Sequence, residues 1–206
     1  MCIRDRSQEA LGYKDESEHY AYDPEKAEEL LDEAGWAEGS DGIREKDGER
    51  MSITVYEAAP QPLSKQTLEL VAQQLAKVGV ELTVKPADAG SYAEDTRDPL
   101  KTGFYHSMVG RADFDVIKSQ YHTKNRDVLI SNDAELDALL EAVASEPDTG
   151  KRAEASQAVQ DYIAEQAYVI PLFEEPQVYG TATYVHGVDF ESVGRPTFSG
   201  VWLSEH

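Results

Sequence analysis

A single cysteine, Cys2, stands in the whole chain, which excludes an intrachain disulfide and any thiolate metal site. Long apolar runs are missing too. No stretch approaches the roughly 20 residues a membrane-spanning helix needs, and no apolar segment follows Met1, so Cys2 does not read as a lipoprotein cysteine. Cations are scarce: 19 Lys and Arg stand against 40 Asp and Glu, a formal charge of -21. Phosphate recognition needs clustered Lys and Arg, so no nucleic acid partner is expected. The acidity reads first as solubility, as in a salty habitat. No carboxylate cluster has metal-ligand spacing, and neither a metal nor a cofactor is expected. GxSxG, HExxH, P-loop and GxGxxG motifs are all absent, which removes the best-marked chemistries. There is no internal repeat and no low-complexity linker.

The chain does have regular periodicity. With 206 residues and 40 % apolar content, it can bury a proper core. The stretch 22–36 spells one short helix with both ends marked. Asp23 can cap it, Pro24 fits the first helical position, and Glu25 and Glu28 sit at the positive end of the dipole. Gly35 supplies the left-handed residue that stops it. Ala27, Leu30, Leu31 and Ala34 share one face, at the spacing that packs against a sheet. Asp47-Gly48 predicts a turn between two short strands, and alternation over 51–56 predicts a half-buried strand. A helix over 64–78 should bury Leu68, Val71, Leu75 and Val78, and Gly79 should stop it before a strand over 80–84. Strand, helix, strand with tight joints is a βαβ unit with parallel strands.

Further on, a short helix is expected over 91–97 and a strand over 104–109. Two amphipathic helices come next, over 133–145 through Leu136, Leu139, Leu140 and Val143, and over 149–167 through Ala155, Val159, Tyr162 and Ile163. Short strands are expected over 169–173, with Pro171 suggesting an edge, and over 177–184. The class is α/β with a mixed sheet flanked by helices.

Several segments share one resemblance, in order and spacing, from about Tyr20 onward. They are the Tyr22-Asp23-Pro24-Glu25-Lys26-Ala27 stretch through Gly35-Trp36, the helix and turn from Leu70 to Val80, and Tyr92. Next come Arg111-Ala112-Asp113-Phe114-Asp115 with Tyr121-His122-Thr123 after it, and Glu135 to Leu140 with Asp148 and Arg152. Ala167 to Phe173 and Val185-His186-Gly187-Val188 complete the series. Together they resemble the family 5 extracytoplasmic solute-binding proteins, receptors of ABC importers for peptides, nickel chelates and some sugars. The resemblance implies the C-terminal lobe of a periplasmic-binding-protein-like type II fold. It also implies capture of a solute, most readily an oligopeptide, in a cleft between lobes, with delivery to an ABC permease and no covalent chemistry.

On that resemblance, residues 1–19 are a leader, non-native or disordered at its start, because Met1 to Arg6 reads as foreign to the rest of the chain. Residues 20–175 are a partial ligand-binding lobe, and 176–206 are a return segment belonging to a lobe encoded upstream. Phe190, Phe198 and Trp202 should then be partly exposed. The natural chain is expected to start upstream, with a lost signal sequence and a periplasmic or surface-anchored, monomeric product.

Peptide binders of the family use an aspartate in the loop after the third strand to meet the ligand's α-amino group. Asp113 is the match, with Asp115 next and Arg111 where the family usually has Trp. Capping of the adjoining helix is the competing role for both aspartates. Arg111 and Arg97 could supply a cation, or form solvated surface ion pairs. Ala58-Ala59-Pro60 replaces the arginine of strict dipeptide receptors, which favours a longer peptide held by its backbone, or another solute.

Two other classes compete. A hydrolase could be imagined from His106 and His122 around the Asp113 loop, or from Glu174-Glu175, although adjacent strand residues point to opposite faces. A ligand-sensing domain of a regulator would use the same fold behind a DNA-binding domain.

Overall fold

The computed structural model describes residues 12–58, 61, 63–86, 90, 94–95, 98, 104–105, 114–173, 178–191 and 194–205. The chain divides into two compact units: Ala21–Met108, and Val109–His206 together with the N-terminal stretch up to Tyr20.

In the first unit, helix α1 spans Pro24–Glu33. Asp23 caps it by accepting from the Lys26 N–H at 2.9 Å. The other end is a Schellman motif: Gly35, at φ +84°, donates to Asp32 O and Trp36 donates to Leu31 O, both at 2.9 Å. The apolar face is a different matter. Ala27 and Leu31 are half-buried, but Leu30 is 53 % exposed and no residue of α1 is buried. The helix is held by its C-terminal end, not by that face.

Strands β1 (Ala37–Glu38), β2 (Arg44–Lys46) and β3 (Glu49–Arg50) form an antiparallel meander. The expected turn lies between β2 and β3. Asp47 and Gly48 have φ of +54° and +83°, the paired left-handed residues that match the twist of a two-residue hairpin. Strand β4 (Ser52–Tyr56), helix α2 (Ser64–Ala76) and strand β5 (Glu81–Lys85) form the expected βαβ unit, with β4 and β5 parallel. Strand β6 (Phe104–Tyr105) joins β4 on its other edge, also parallel. Leu68, Val78, Val80 and Val55 are buried, with Val71 and Leu75 half-buried.

Arg44 ties these pieces together. Its backbone N–H donates to Gly79 O at 2.8 Å, and its Nε donates to Val78 O at 2.9 Å. One terminal guanidinium nitrogen reaches Trp36 O at 2.6 Å and also pairs with Asp32. A buried cation is tolerable only when its donors are matched, and here they close the α2–β5 turn and the end of α1. Gly79 must be glycine twice over. It has φ +78°, and a Cβ there would lie 2.8 Å from the Arg44 Cγ.

In the second unit, helices α3 (Phe114–Tyr121), α4 (Ala134–Ser145) and α5 (Thr149–Glu165) pack around Val116, Ile117, Tyr121, Leu136, Leu140, Val143, Val159 and Ile163. Asp133 caps α4 and Asp148 caps α5. The segment from Gly12 lies along α5. The buried Gln160 side chain donates to Gly12 O at 2.6 Å and accepts from the Lys14 N–H at 3.2 Å. Gly12 permits this approach, since a Cβ there would lie 2.6 Å from Ala153 O.

The tail departs from expectation. No strand forms over 169–173 or over the described part of 177–184. Pro171 has no donor for a ladder, and Val178 is 88 % exposed. Pairing is instead made within the tail. Strand β7 (Val185–His186) pairs with β10 (Trp202–Leu203), and β8 (Asp189–Phe190) with β9 (Pro196–Thr197), both antiparallel. Parallel and antiparallel pairing therefore both occur in this α/β chain, in separate small sheets. Phe190, Phe198 and Trp202 are exposed, as expected.

Replacing Arg44 with Ala should destabilise the protein by about 3 kcal/mol, because the buried Val78 carbonyl and the half-buried Trp36 carbonyl lose charged donors. Asp32→Asn should cost under about 1 kcal/mol, since that carboxylate is largely exposed and its charge is screened. Urea denaturation of the two variants measures the difference.

Candidate functional site

In open α/β sheets ligands bind beyond the carboxyl ends of the strands, because the connecting loops gather there. In the first unit that end carries Tyr56 and Lys85. Tyr56 is buried, and its hydroxyl donates to Asp95 Oδ2 at 2.6 Å. Lys85 Nζ lies 5.8 Å from the centre of the Tyr56 ring. The loop leaving β4 turns at once into α2. The Ala58 N–H donates to Ser64 Oγ at 2.8 Å and the Gln61 N–H to Ala58 O at 2.8 Å. Leu63 stands at the N-cap with no side-chain hydrogen bond to the helix.

In the second unit the corresponding feature is the start of α3. Asp115 lies in its first turn, exposed and acidic, at the end of the dipole that favours a carboxylate. Arg111 and Asp113 lie outside the described residues, as do Arg97, His106, Glu174 and Glu175. Of the helix expected over 91–97, Glu94 and Asp95 are described, and both are helical.

His122 is described, and it is occupied. Its ring is buried against α4, with Nε2 3.0 Å from Glu141 and Nδ1 3.4 Å from Asp137. The Lys124 N–H donates to Nδ1 at 3.1 Å, which leaves Nε2 to carry the ring proton toward Glu141. Asp137 also accepts from the Thr123 N–H at 2.9 Å and from its hydroxyl. Burial pushes the Asp137 carboxyl up, but those Thr123 bonds and the nearby His122 hold it below the ordinary carboxylate range. Lys118 does the same for Glu141. This buried imidazole and its carboxylates clasp the end of α3 to α4, with Glu141 on the exposed side. Among the described residues no three His, Cys, Asp or Glu side chains group as metal ligands.

A second polar knot supports the same unit. Asp133 accepts from the N–H groups of Glu135 and Leu136 with one oxygen. With the other it accepts from the hydroxyls of Tyr168 at 2.7 Å and Tyr162 at 2.8 Å. The Tyr168 bond, with the others, holds the Asp133 carboxyl below its ordinary value. In return Asp133 raises the Tyr168 phenol and pushes Tyr162 up to about 12. Sequence reading began a helix at about Asp133 without naming it as the cap. It missed the two tyrosines, and it missed Tyr56 and Asp95, since nothing in local spacing links residues so far apart.

Residues 7–127 match the family model described as "Bacterial extracellular solute-binding proteins, family 5 Middle". The chain belongs to this family. Among similar proteins, the oligopeptide-binding protein OppA of Mycobacterium tuberculosis is 26 % identical over 208 residues, covering 89 % of this chain and 32 % of OppA. The glutathione-binding protein GsiB of Escherichia coli K12 is 26 % identical over 182 residues, covering 82 % of this chain and 33 % of GsiB. The structure of the oligopeptide-binding protein AppA of Bacillus subtilis, in complex with a nonapeptide, superposes with a TM-score of 0.76 at 19 % identity. That superposition covers 99 % of this chain and 42 % of AppA. The fold is thus that of the type II periplasmic binding proteins. This chain spans about a third of the length of the curated relatives it matches. The family consists of extracellular binding proteins, not enzymes, and no described helix is long and apolar enough to cross a membrane.

Because the folded Asp133 carboxyl titrates below its ordinary 3.8, its stabilisation is complete above that value and is lost as pH falls through the lower folded value. Asp133→Asn should therefore lower stability at pH 7, while between pH 4 and pH 2 the variant loses less than the parent. Urea midpoints across that range measure both.

Proposed function

We propose that this chain is the ligand-gripping part of an ABC importer's solute receptor, and that the solute is an oligopeptide. The observation that carries the reading is the family match over residues 7–127, which includes the β4–α2–β5 unit and the start of α3. OppA and GsiB, named for peptide ligands, support a peptide as the solute. The site lies in the loop before α3. Asp113 meets the ligand's α-amino group, Asp115 adds negative potential, and Arg111 answers a carboxylate or backbone carbonyl. A carboxylate facing an ammonium fixes orientation and rejects ligands lacking the charge. The receptor works as a monomer, periplasmic or anchored at the cell surface, and hands its solute to a membrane permease.

Calorimetric titration with penta- to nonapeptides, on a protein in which this chain is joined to the lobe proposed upstream of it, tests this. Saturable heat with free-amino peptides and none with N-acetylated ones is expected, and Asp113→Asn should weaken binding by about tenfold or more. Saturable binding of an oligosaccharide or nickel chelate, with no peptide response, would overturn the peptide assignment. Unchanged affinity in the variant would remove Asp113 from the site.

Residues 176–206 are the return segment of a lobe encoded upstream. The exposure of Phe190, Phe198 and Trp202 supports that reading. Ending the chain after Glu175 should then shift the melting temperature by less than about 3 °C, because the helical core loses little packing.

A further inference from the structure

Helix α1 carries Glu25, Glu28, Glu29, Asp32 and Glu33, all exposed, against one cation of its own, Lys26. Glu25 with Glu29, Glu28 with Asp32, and Glu29 with Glu33 stand four residues apart, where like charges oppose the helix. Asp32 and Glu33 also occupy the negative end of the dipole, and the last turn holds no basic residue. Among the described residues three cations answer this charge: Lys26 lies 3.1 Å from Glu29, Arg44 pairs with Asp32, and Lys46 Nζ donates to Ala34 O at 2.8 Å at the C-terminal end of the helix. Helices this short depend on packing for their stability, yet no residue of α1 is buried. The chain as a whole, α1 included, carries a formal charge of -21.

We propose that α1 is a salt-gated element, folded and docked only where dissolved ions screen its own carboxylates. The protein is thereby fitted to a medium of high ionic strength. Residues four apart on a helix have Cβ atoms about 5–6 Å apart. The screening length is about 10 Å at 0.1 M salt and about 3 Å at 1 M, so only concentrated salt falls below that spacing. Helix α4 is the internal contrast, with Leu136, Leu140 and Val143 fully buried. When α1 opens, Arg44 loses Asp32 and Trp36 O together, so the gate acts on the knot that orders the first unit.

Amide hydrogen exchange of the purified chain in 0.1 M and 2 M KCl tests the proposal. The amides of residues 26–36 should exchange at least about tenfold more slowly in 2 M KCl, while those of α4 change less than about twofold. Glu28→Lys with Glu33→Lys, at exposed positions, should protect α1 already at 0.1 M and remove most of the salt response. Sucrose, which favours compact states without screening charge, should not replace KCl. Equal protection of α1 at both salt concentrations would overturn the proposal. So would equal responses of α1 and α4, a full effect from sucrose, or an undiminished salt response in the double variant.

Discussion

A parallel strand pair cannot be closed by a tight turn, so β4 and β5 must be joined across a helix, and α2 is that helix. Strand β6 then adds on the other edge of β4 in the same direction, and all three strands present their carboxyl ends on one side. From this one constraint follow the position of Tyr56, its reach to Asp95, the nearness of Lys85 and the tight loop into α2. A binding protein needs such an edge, because loops grouped beside a rigid sheet can vary without disturbing the core.

Around that sheet and in the helical unit, single polar side chains do work that apolar packing cannot. Arg44, Asp133 and Gln160 each collect several partners from segments distant in the chain. Buried or half-buried polar groups stabilise only when matched, so each also specifies which segments meet. The surface obeys the opposite rule. Its carboxylates outnumber the cations available to pair with them, and their energetics depend on the solvent's ions as much as on the fold.

Local signals were legible wherever a residue acts on its own neighbours. Asp23 caps the helix next to it, Asp47-Gly48 turns the hairpin, and the 3.6-residue period picks out Leu68, Leu136, Leu140, Val143, Val159 and Ile163 as core. Where pairing needs a partner from elsewhere, the reading failed. The segment at 169–173 and the described part of 177–184 have strand-like composition but no ladder, and the tail pairs with itself through dipeptide strands that carry no periodicity to detect. The apolar face of α1 also looked like a packing face, and Leu30 is exposed. Periodicity reports that a helix has an apolar side, not that anything covers it. At the candidate site, motif resemblance proposes Asp115, whereas the Tyr56–Asp95 hydrogen bond escapes local reading because it spans 39 residues.

The amino-acid sequence by itself determined helices α1, α2, α4 and α5, the βαβ order, the family and the acidic character, since each rests on spacing, neighbouring residues or composition. Tertiary structure alone decided that Arg44 is the knot of one unit, that His122 is spent clasping two helices, and that Asp133 gathers two tyrosines. Those outcomes depend on long-range proximity, and a side chain's partners are set by where the backbone brings distant segments together.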